Sequence, residues 1–244
     1  MKTLFFLFGL AVFLSSDFAS AQTTNAAAAP ATPPVAVSAM PVYHPPDVSG
    51  GVLPIRVGGG SRGGASDGVT VEVLVPDQIA LTSQEQPSLY WYQSKAAKTR
   101  CEVTLTQPKK AKPLLVLQST GATAAGIHAM KLSDHKVKLE PKVVYKWSVA
   151  LVTDPQNRSE DIIANGVIEY VPPSPDLTAK LATADASQAS SLFAGAGYWY
   201  DALDSISTAI SRNPSDASLQ AARASLLTQV GLDGAKIEKT GLNR

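Results

Sequence analysis

YKWSVALVTDPQNRSEDIIANGVIEYVPPSPD, residues 145–176, contains both the last strands and the first helix of this chain. Tyr145, Trp147 and Val149 alternate with Lys146 and Ser148, the period of two that sends successive side chains to opposite faces of a strand. A second apolar run at 162–171 follows Asp154-Pro155-Gln156-Asn157-Arg158-Ser159-Glu160-Asp161, which reads as a polar loop of hairpin type. After Val171-Pro172-Pro173 the pattern changes. Ser174 caps a turn, Pro175 takes the first helical position, and the charge of Asp176 suits the helix dipole.

Working back from this junction, further runs rich in Val, Leu, Ile, Tyr and Trp lie at 69–75, 89–93, 100–107, 114–118 and 127–132. They are separated by Pro, Gly, Lys or Asp clusters. Cys101, Val103 and Leu105 would face one way, and Glu102, Thr104 and Thr106 the other. Seven short strands between 67 and 173 predict an Ig-like antiparallel β-sandwich. Tyr90, Trp91, Tyr92 and Trp147 then read as core and edge packing rather than a carbohydrate-binding platform. Lys109-Lys110-Ala111-Lys112 before Pro113 reads as a solvated turn.

Working forward, Asp185 with Gln188 forms a capping-box pattern that opens a helix ending near Gly195. Trp199, Ala202, Leu203, Ile206, Ala209 and Ile210 fall on one helical face, with Asp201 in the first turn, Arg212 in the last and Pro214 beyond. A last helix from about 216 to 230 carries Leu219, Ala222, Leu226 and Val230 and stops at Gly231. Leu192, Phe193, Gly197, Ala202, Ile206, Ala209 and Pro214 occur in the order and spacing of a tetratricopeptide repeat, which residues 174–232 therefore resemble. The resemblance covers one repeat and a further helix, which implies a hairpin cap packed on the sandwich. Residues 233–244 are read as a tail.

Residues 22–66 are Ala, Pro, Thr, Val and then Gly, too poor in large apolar side chains to offset the entropy of ordering, and are expected to form a disordered tether. Within it Gly58, Gly60 and Gly63 match a dinucleotide-binding spacing, and Gly59-Gly60-Ser61-Arg62-Gly63 a nucleophile elbow. Both motifs need a helix next, and a strand pattern follows instead, so the stretch reads as a glycine-rich hinge. Lys2, the apolar run from Leu4 to Leu14 and Ala19-Ser20-Ala21 read as a signal peptide over 1–21, cleaved before Gln22. The apolar run is short of the roughly 20 residues a membrane span needs. The expectation is an exported chain, periplasmic or extracellular, with no membrane span once processed.

A formal net charge of +1 gives no concentrated basic surface for nucleic acid. Cys101 is the single cysteine, so no internal disulfide framework exists. His44, His128 and His135 have no metal-ligand spacing and read as tether or surface residues; no metal, cofactor or catalytic residue is assigned.

The stretch 58–64, Leu74-Val75-Pro76, Leu81-Thr82, Pro87-Ser88-Leu89-Tyr90-Trp91-Tyr92, Tyr145-Lys146-Trp147, Asp154-Pro155-Gln156-Asn157-Arg158-Ser159, Gly166-Val167-Ile168-Glu169, Gly197-Tyr198-Trp199-Tyr200-Asp201-Ala202-Leu203 and Val230-Gly231-Leu232 carry a second resemblance. Over about 58–232 the chain resembles the bacterial domain-of-unknown-function family numbered 928. That resemblance implies export and the two-part architecture, and brings no activity with it.

The expected function is a non-catalytic interaction protein of the bacterial cell envelope, binding an envelope protein or peptide. Tyr198 and Tyr200 on the helices, and Asp154, Arg158 and Asp161 in the hairpin loop, are the candidate interaction residues. The alternative is an envelope hydrolase acting on a cell-wall or carbohydrate substrate through Asp154, Glu160 or Asp161. A third reading places a small ligand between the two parts.

Overall fold

The computed structural model describes residues 40–46, 56, 59–60 and 68–240. The signal-peptide reading at 1–21, tether residues 22–39 and tail residues 241–244 lie outside the described residues. Among the described residues the strands are β1 (Gly59–Gly60), β2 (Thr70–Val73), β3 (Ala80–Thr82), β4 (Ser88–Gln93), β5 (Arg100–Thr106), β6 (Leu115–Gln118), β7 (Gly126–Lys131), β8 (Val144–Val152) and β9 (Ile162–Tyr170). The helices α1 (Pro175–Leu181), α2 (Ala186–Gly195), α3 (Trp199–Arg212), α4 (Ala217–Gln229) and α5 (Gly234–Thr240) follow.

The chain is thus β then α, with two sheets. One has the order β1-β2-β4-β7 and is antiparallel; the other has the order β3-β9-β8-β5-β6. The expectation of wholly antiparallel pairing is corrected at one edge, where β3 runs parallel to β9 and matches Ala80 to Ile168 and Thr82 to Tyr170. β5 buries Cys101, Val103 and Leu105 and turns Glu102, Thr104 and Thr106 outward, as its alternation predicts. In β8, Tyr145, Trp147 and Val149 are buried. β4 is buried at every position because it is covered on both sides: Tyr90 and Tyr92 reach the helices through Asp204 of α3 and Thr240 of α5.

Helix starts follow the capping residues in the sequence. Ser174 Oγ accepts from the Leu177 N–H, Asp185 and Gln188 complete a capping box, and Asp216 Oδ1 accepts from the N–H groups of Ser218 and Leu219. α5 corrects the tail reading. Ile237 is buried, and Glu238 meets the buried Arg223 of α4 in a two-pronged ion pair at 2.5 and 2.7 Å. An arginine inside the fold requires such a partner, and the last helix supplies it. Sheets and helices share one continuous apolar cluster, so 67–173 and 174–232 differ in secondary structure but not in core. Among the described residues no helix is long and apolar enough to cross a membrane.

At residues 40–46, 56 and 59–60 the structure departs from the tether reading, while the remaining tether residues lie outside the described residues. Residues 40–46 lie extended against the helices, Arg56 Nη1 donates to the carbonyls of Val75 and Val230 at 3.1 Å, and Gly59 and Gly60 pair with β2 as an edge strand. Composition judges only whether a segment has its own core; these residues are ordered by a surface formed far away in the chain.

Candidate functional site

The two tyrosines expected on an interaction surface instead belong to a joint. Tyr198, Trp199, Tyr200 and Asp201 are consecutive and buried, and each bonds a different part of the strand region. Tyr198 donates to the Pro172 carbonyl at 3.2 Å, and Trp199 Nε1 to the Leu74 carbonyl at 2.8 Å. Tyr200 donates to the Val167 carbonyl at 3.0 Å and accepts from Trp147 Nε1 at 2.9 Å. Asp201 accepts from the Ser83 N–H at 2.8 Å, Ser83 Oγ at 2.7 Å and Gln84 Nε2 at 3.0 Å. Burial raises the pKa of both tyrosines, and it raises that of Asp201 although its hydrogen bonds pull the other way. The sequence signal was the run of aromatics itself: three rings in the first helical turn exceed what one apolar helix face uses.

The hairpin loop brings together two of its three predicted residues, Arg158 and Asp161. Arg158 Nε lies 2.6 Å from Asp161 Oδ2, and its Nη2 lies 3.1 Å from Glu102 Oε1 on β5. Burial opposes ionisation of Glu102, but hydrogen bonds from Arg158 and Gln118 hold its carboxyl below the ordinary value. Asp154 stands apart from this pair and accepts from the Gln156 N–H, while Glu160 accepts from Asn157 Nδ2. These acids are engaged inside their own loop. Among the described residues no three His, Cys, Asp or Glu side chains gather into a metal-binding group. His128, read as a surface residue, is half-buried and stacked on Trp91 with ring centroids 5.3 Å apart. Cys101 is buried, and burial with the neighbouring charge of Glu102 pushes its thiol up to about 11.

An open polar cleft of about 550 Å³ lies where strand ends meet α3, with Ser83, Gln84, Lys131 and Asp204 on its walls. Asp204 is held there by Tyr90 at 2.8 Å.

The surface that engages a ligand-like segment is the groove between α2, α3 and α4. Its occupant is Met40-Pro41-Val42-Tyr43-His44-Pro45-Pro46 of the same chain, which buries Pro41 and Tyr43 and exposes Met40 and Val42. Gln229 of α4 grips the backbone with both ends of its amide: Oε1 accepts from the Tyr43 N–H and Nε2 donates to the Pro41 carbonyl, each at 2.9 Å. The His44 N–H donates to the Ala194 carbonyl at the end of α2 at 3.0 Å. The Tyr43 ring meets Trp199 edge-on, centroids 5.0 Å apart. Gly197, at φ +83°, forms the floor; a Cβ there would lie 3.1 Å from the His44 carbonyl oxygen. Sequence reading pointed to neither Gln229 nor Tyr43, and did not find the occupant in the same chain.

This geometry defines a class: a two-sheet protein with a helical cover that grips an extended segment of its own chain. The chain belongs to the Domain of Unknown Function family DUF928, whose family model matches residues 57–240. The groove residues Ala194, Gly197, Trp199 and Gln229 fall within that match, and residues 40–46 outside it. No curated protein matches the chain.

Proposed function

We propose that this protein is an exported, non-catalytic interaction protein of the bacterial cell envelope, an Ig-like sandwich whose tetratricopeptide-like helices bind an extended peptide segment. The observation that carries this reading is the groove of α2, α3 and α4 holding residues 40–46 through backbone hydrogen bonds and one aromatic side chain, the manner in which helical and sheet surfaces take extended peptides. The leader pattern at 1–21 supports export, and the loop acids bonded within their own loop favour binding over hydrolysis.

The test is photocrosslinking in cells expressing the full chain. A photoreactive residue replaces Gly195, at the groove rim where a side chain meets open space, or Lys109, in the exposed turn between β5 and β6. The expected result is a discrete adduct in the envelope fraction from position 195 and none from 109. Retention of the protein in the cytoplasm overturns the localisation, and absence of an adduct specific to position 195 overturns the groove.

A further inference from the structure

The open polar cleft of about 550 Å³ where strand ends meet α3 is lined by none of the groove residues Ala194, Gly197, Trp199 and Gln229. Its volume falls within the roughly 300–1,000 Å³ of small-molecule sites. A solvated surface leaves its polar side chains mobile; here they are held from behind. Gln84 Nε2 donates to the buried Asp201 at 3.0 Å, Gln86 Nε2 to the Val137 carbonyl at 3.0 Å, and Asp204 Oδ1 accepts from the buried Tyr90 hydroxyl at 2.8 Å. Ser88, also on the wall, is only 7 % exposed. Side chains fixed before a ligand arrives lose little entropy when it binds, which is how a recognition site differs from an ordinary wet surface.

The direction of those bonds sets the chemistry of the ligand. Both amides meet an acceptor on the protein side, so each spends a donor inward and leaves its carbonyl oxygen for the cleft. Asp204, with one oxygen on Tyr90, adds the acceptor of its other. The ligand therefore brings several hydrogen-bond donors. Charge is nearly balanced: the wall carries Glu85 and Asp204 against Lys131, and Glu85 is already paired with Lys138 at 2.8 Å. A cation thus gains little net attraction, and an apolar molecule would strip water from these groups without replacing its bonds. Tyr170 adds an aromatic side chain, the contact that suits the C–H face of a sugar ring. A neutral molecule with a row of hydroxyls meets each of these conditions.

We propose that this cleft is a binding site for a neutral saccharide, whose hydroxyls donate to Gln84 Oε1, Gln86 Oε1 and the Asp204 carboxylate and accept from Lys131. It is a second site, independent of the peptide groove, and its role is binding alone.

The test follows backbone amide shifts of the isotope-labelled protein by NMR. Maltotriose, cellotriose or tri-N-acetylchitotriose is added to about 10 mM, enough to fill most of a site whose Kd is about 1 mM. The expected result is saturable shifts at residues 83–88, 131–133 and 204 with at least one of the three sugars. Asp204→Asn keeps an oxygen for Tyr90 and turns an NH₂ group to the cleft, so it should bind that sugar about tenfold more weakly. Ser133→Trp, at an exposed lining residue, should fill the cleft and abolish the shifts with an unchanged melting curve.

No shift with any of the three sugars overturns the proposal, and so do shifts that Ser133→Trp leaves intact. Shifts confined to Ala194, Gly197 and Gln229 move the sugar to the groove and overturn the assignment to this cleft. Spermidine acting on the cleft amides where the sugars do not makes the acids a cation site and overturns the ligand chemistry. Wild-type affinity in a folded Asp204→Asn overturns the acceptor role of Asp204.

Discussion

Two segments meet at Trp199 and are held in opposite ways. The turn running through Tyr198, Trp199, Tyr200 and Asp201 is fixed by side chains, each bonded to a different partner: the Pro172, Leu74 and Val167 carbonyls and Ser83. Residues 40–46 are fixed through their own backbone and one ring. The first kind of contact is specific to its partners: removing Trp199 or Tyr200 strands the buried Leu74 or Val167 carbonyl, and removing Asp201 strands the donors of Ser83 and Gln84. The second kind uses N–H and C=O groups that every extended peptide carries.

The comparison is broken most severely at Asp201. Asp201→Ala leaves the Ser83 N–H, Ser83 Oγ and Gln84 Nε2 without their acceptor, and is expected to cost roughly 3–5 kcal/mol in urea denaturation. The wild-type carboxyl also carries a pH signature. Burial raises its folded pKa above the ordinary aspartate value, so the folded state holds that proton more tightly than the unfolded one. Its contribution is most favourable at low pH and is lost as pH rises from the ordinary value through the raised one. Asp201→Asn has no such titration, and its stability relative to wild type should improve across that window; a flat difference contradicts the burial argument.

Gly234 tests whether α5 belongs to the permanent part. A Cβ there would fall 2.1 Å from the backbone oxygen of Ala224, so Gly234→Ala forces the helix off α4. The buried Arg223 then loses Glu238. Roughly 2–3 kcal/mol is expected, with loss of protection in amide exchange concentrated in 234–240. An unchanged melting curve would make α5 an appendage.

Arg158→Ala ranks below both. Its guanidinium is 46 % exposed, yet it is the ion-pair partner of an Asp161 carboxyl only 1 % exposed. Without Arg158 the Glu102 carboxyl returns toward its ordinary pKa. A depressed folded value contributes stability above the ordinary glutamate value, lost as pH falls through the depressed one. The wild-type advantage should therefore be present at neutral pH and fade on acidification; an advantage that persists in acid is packing, not charge.

What was legible in the sequence divides along the same line. The longer strands and the capped helix starts carry their signal within a few residues, as in the alternation of Cys101, Val103 and Leu105 or the Asp185 and Gln188 capping box. β1 and β3 were hidden because two or three residues have no measurable period, and their pairing is decided by strands distant in the chain. α5 was hidden because Ile237 alone makes no stripe, and the reason for the helix lies in Arg223. Tyr198 and Tyr200 were assigned to a surface by treating α3 as buried on one face, when its first turn is enclosed on every side. The groove was least legible, since Gln229 and Tyr43 are separated by 186 positions and a proline-rich segment has the composition of an unfolded one.

The smallest effect on the fold is expected from Gln229→Ala, which makes it the sharpest test of the contrast. Gln229 is exposed on α4, so its loss costs the body of the protein little, on the order of 1 kcal/mol for the bonds it makes to residues 41 and 43. The same loss removes two of the three backbone bonds that hold the segment among the described residues. Only the His44 bond to Ala194 and the Tyr43 ring remain, and the segment should detach while the joint at Tyr198, Trp199, Tyr200 and Asp201 stays closed. Chymotrypsin reports the difference, because the bond after Tyr43 precedes His44, not a proline, and is shielded only while the ring is buried. In Gln229→Ala, cleavage after Tyr43 should become rapid at a temperature where the melting curve still matches wild type. If cleavage accelerates only when the whole protein melts, the segment is as permanent as the joint and the two regions do not differ in kind.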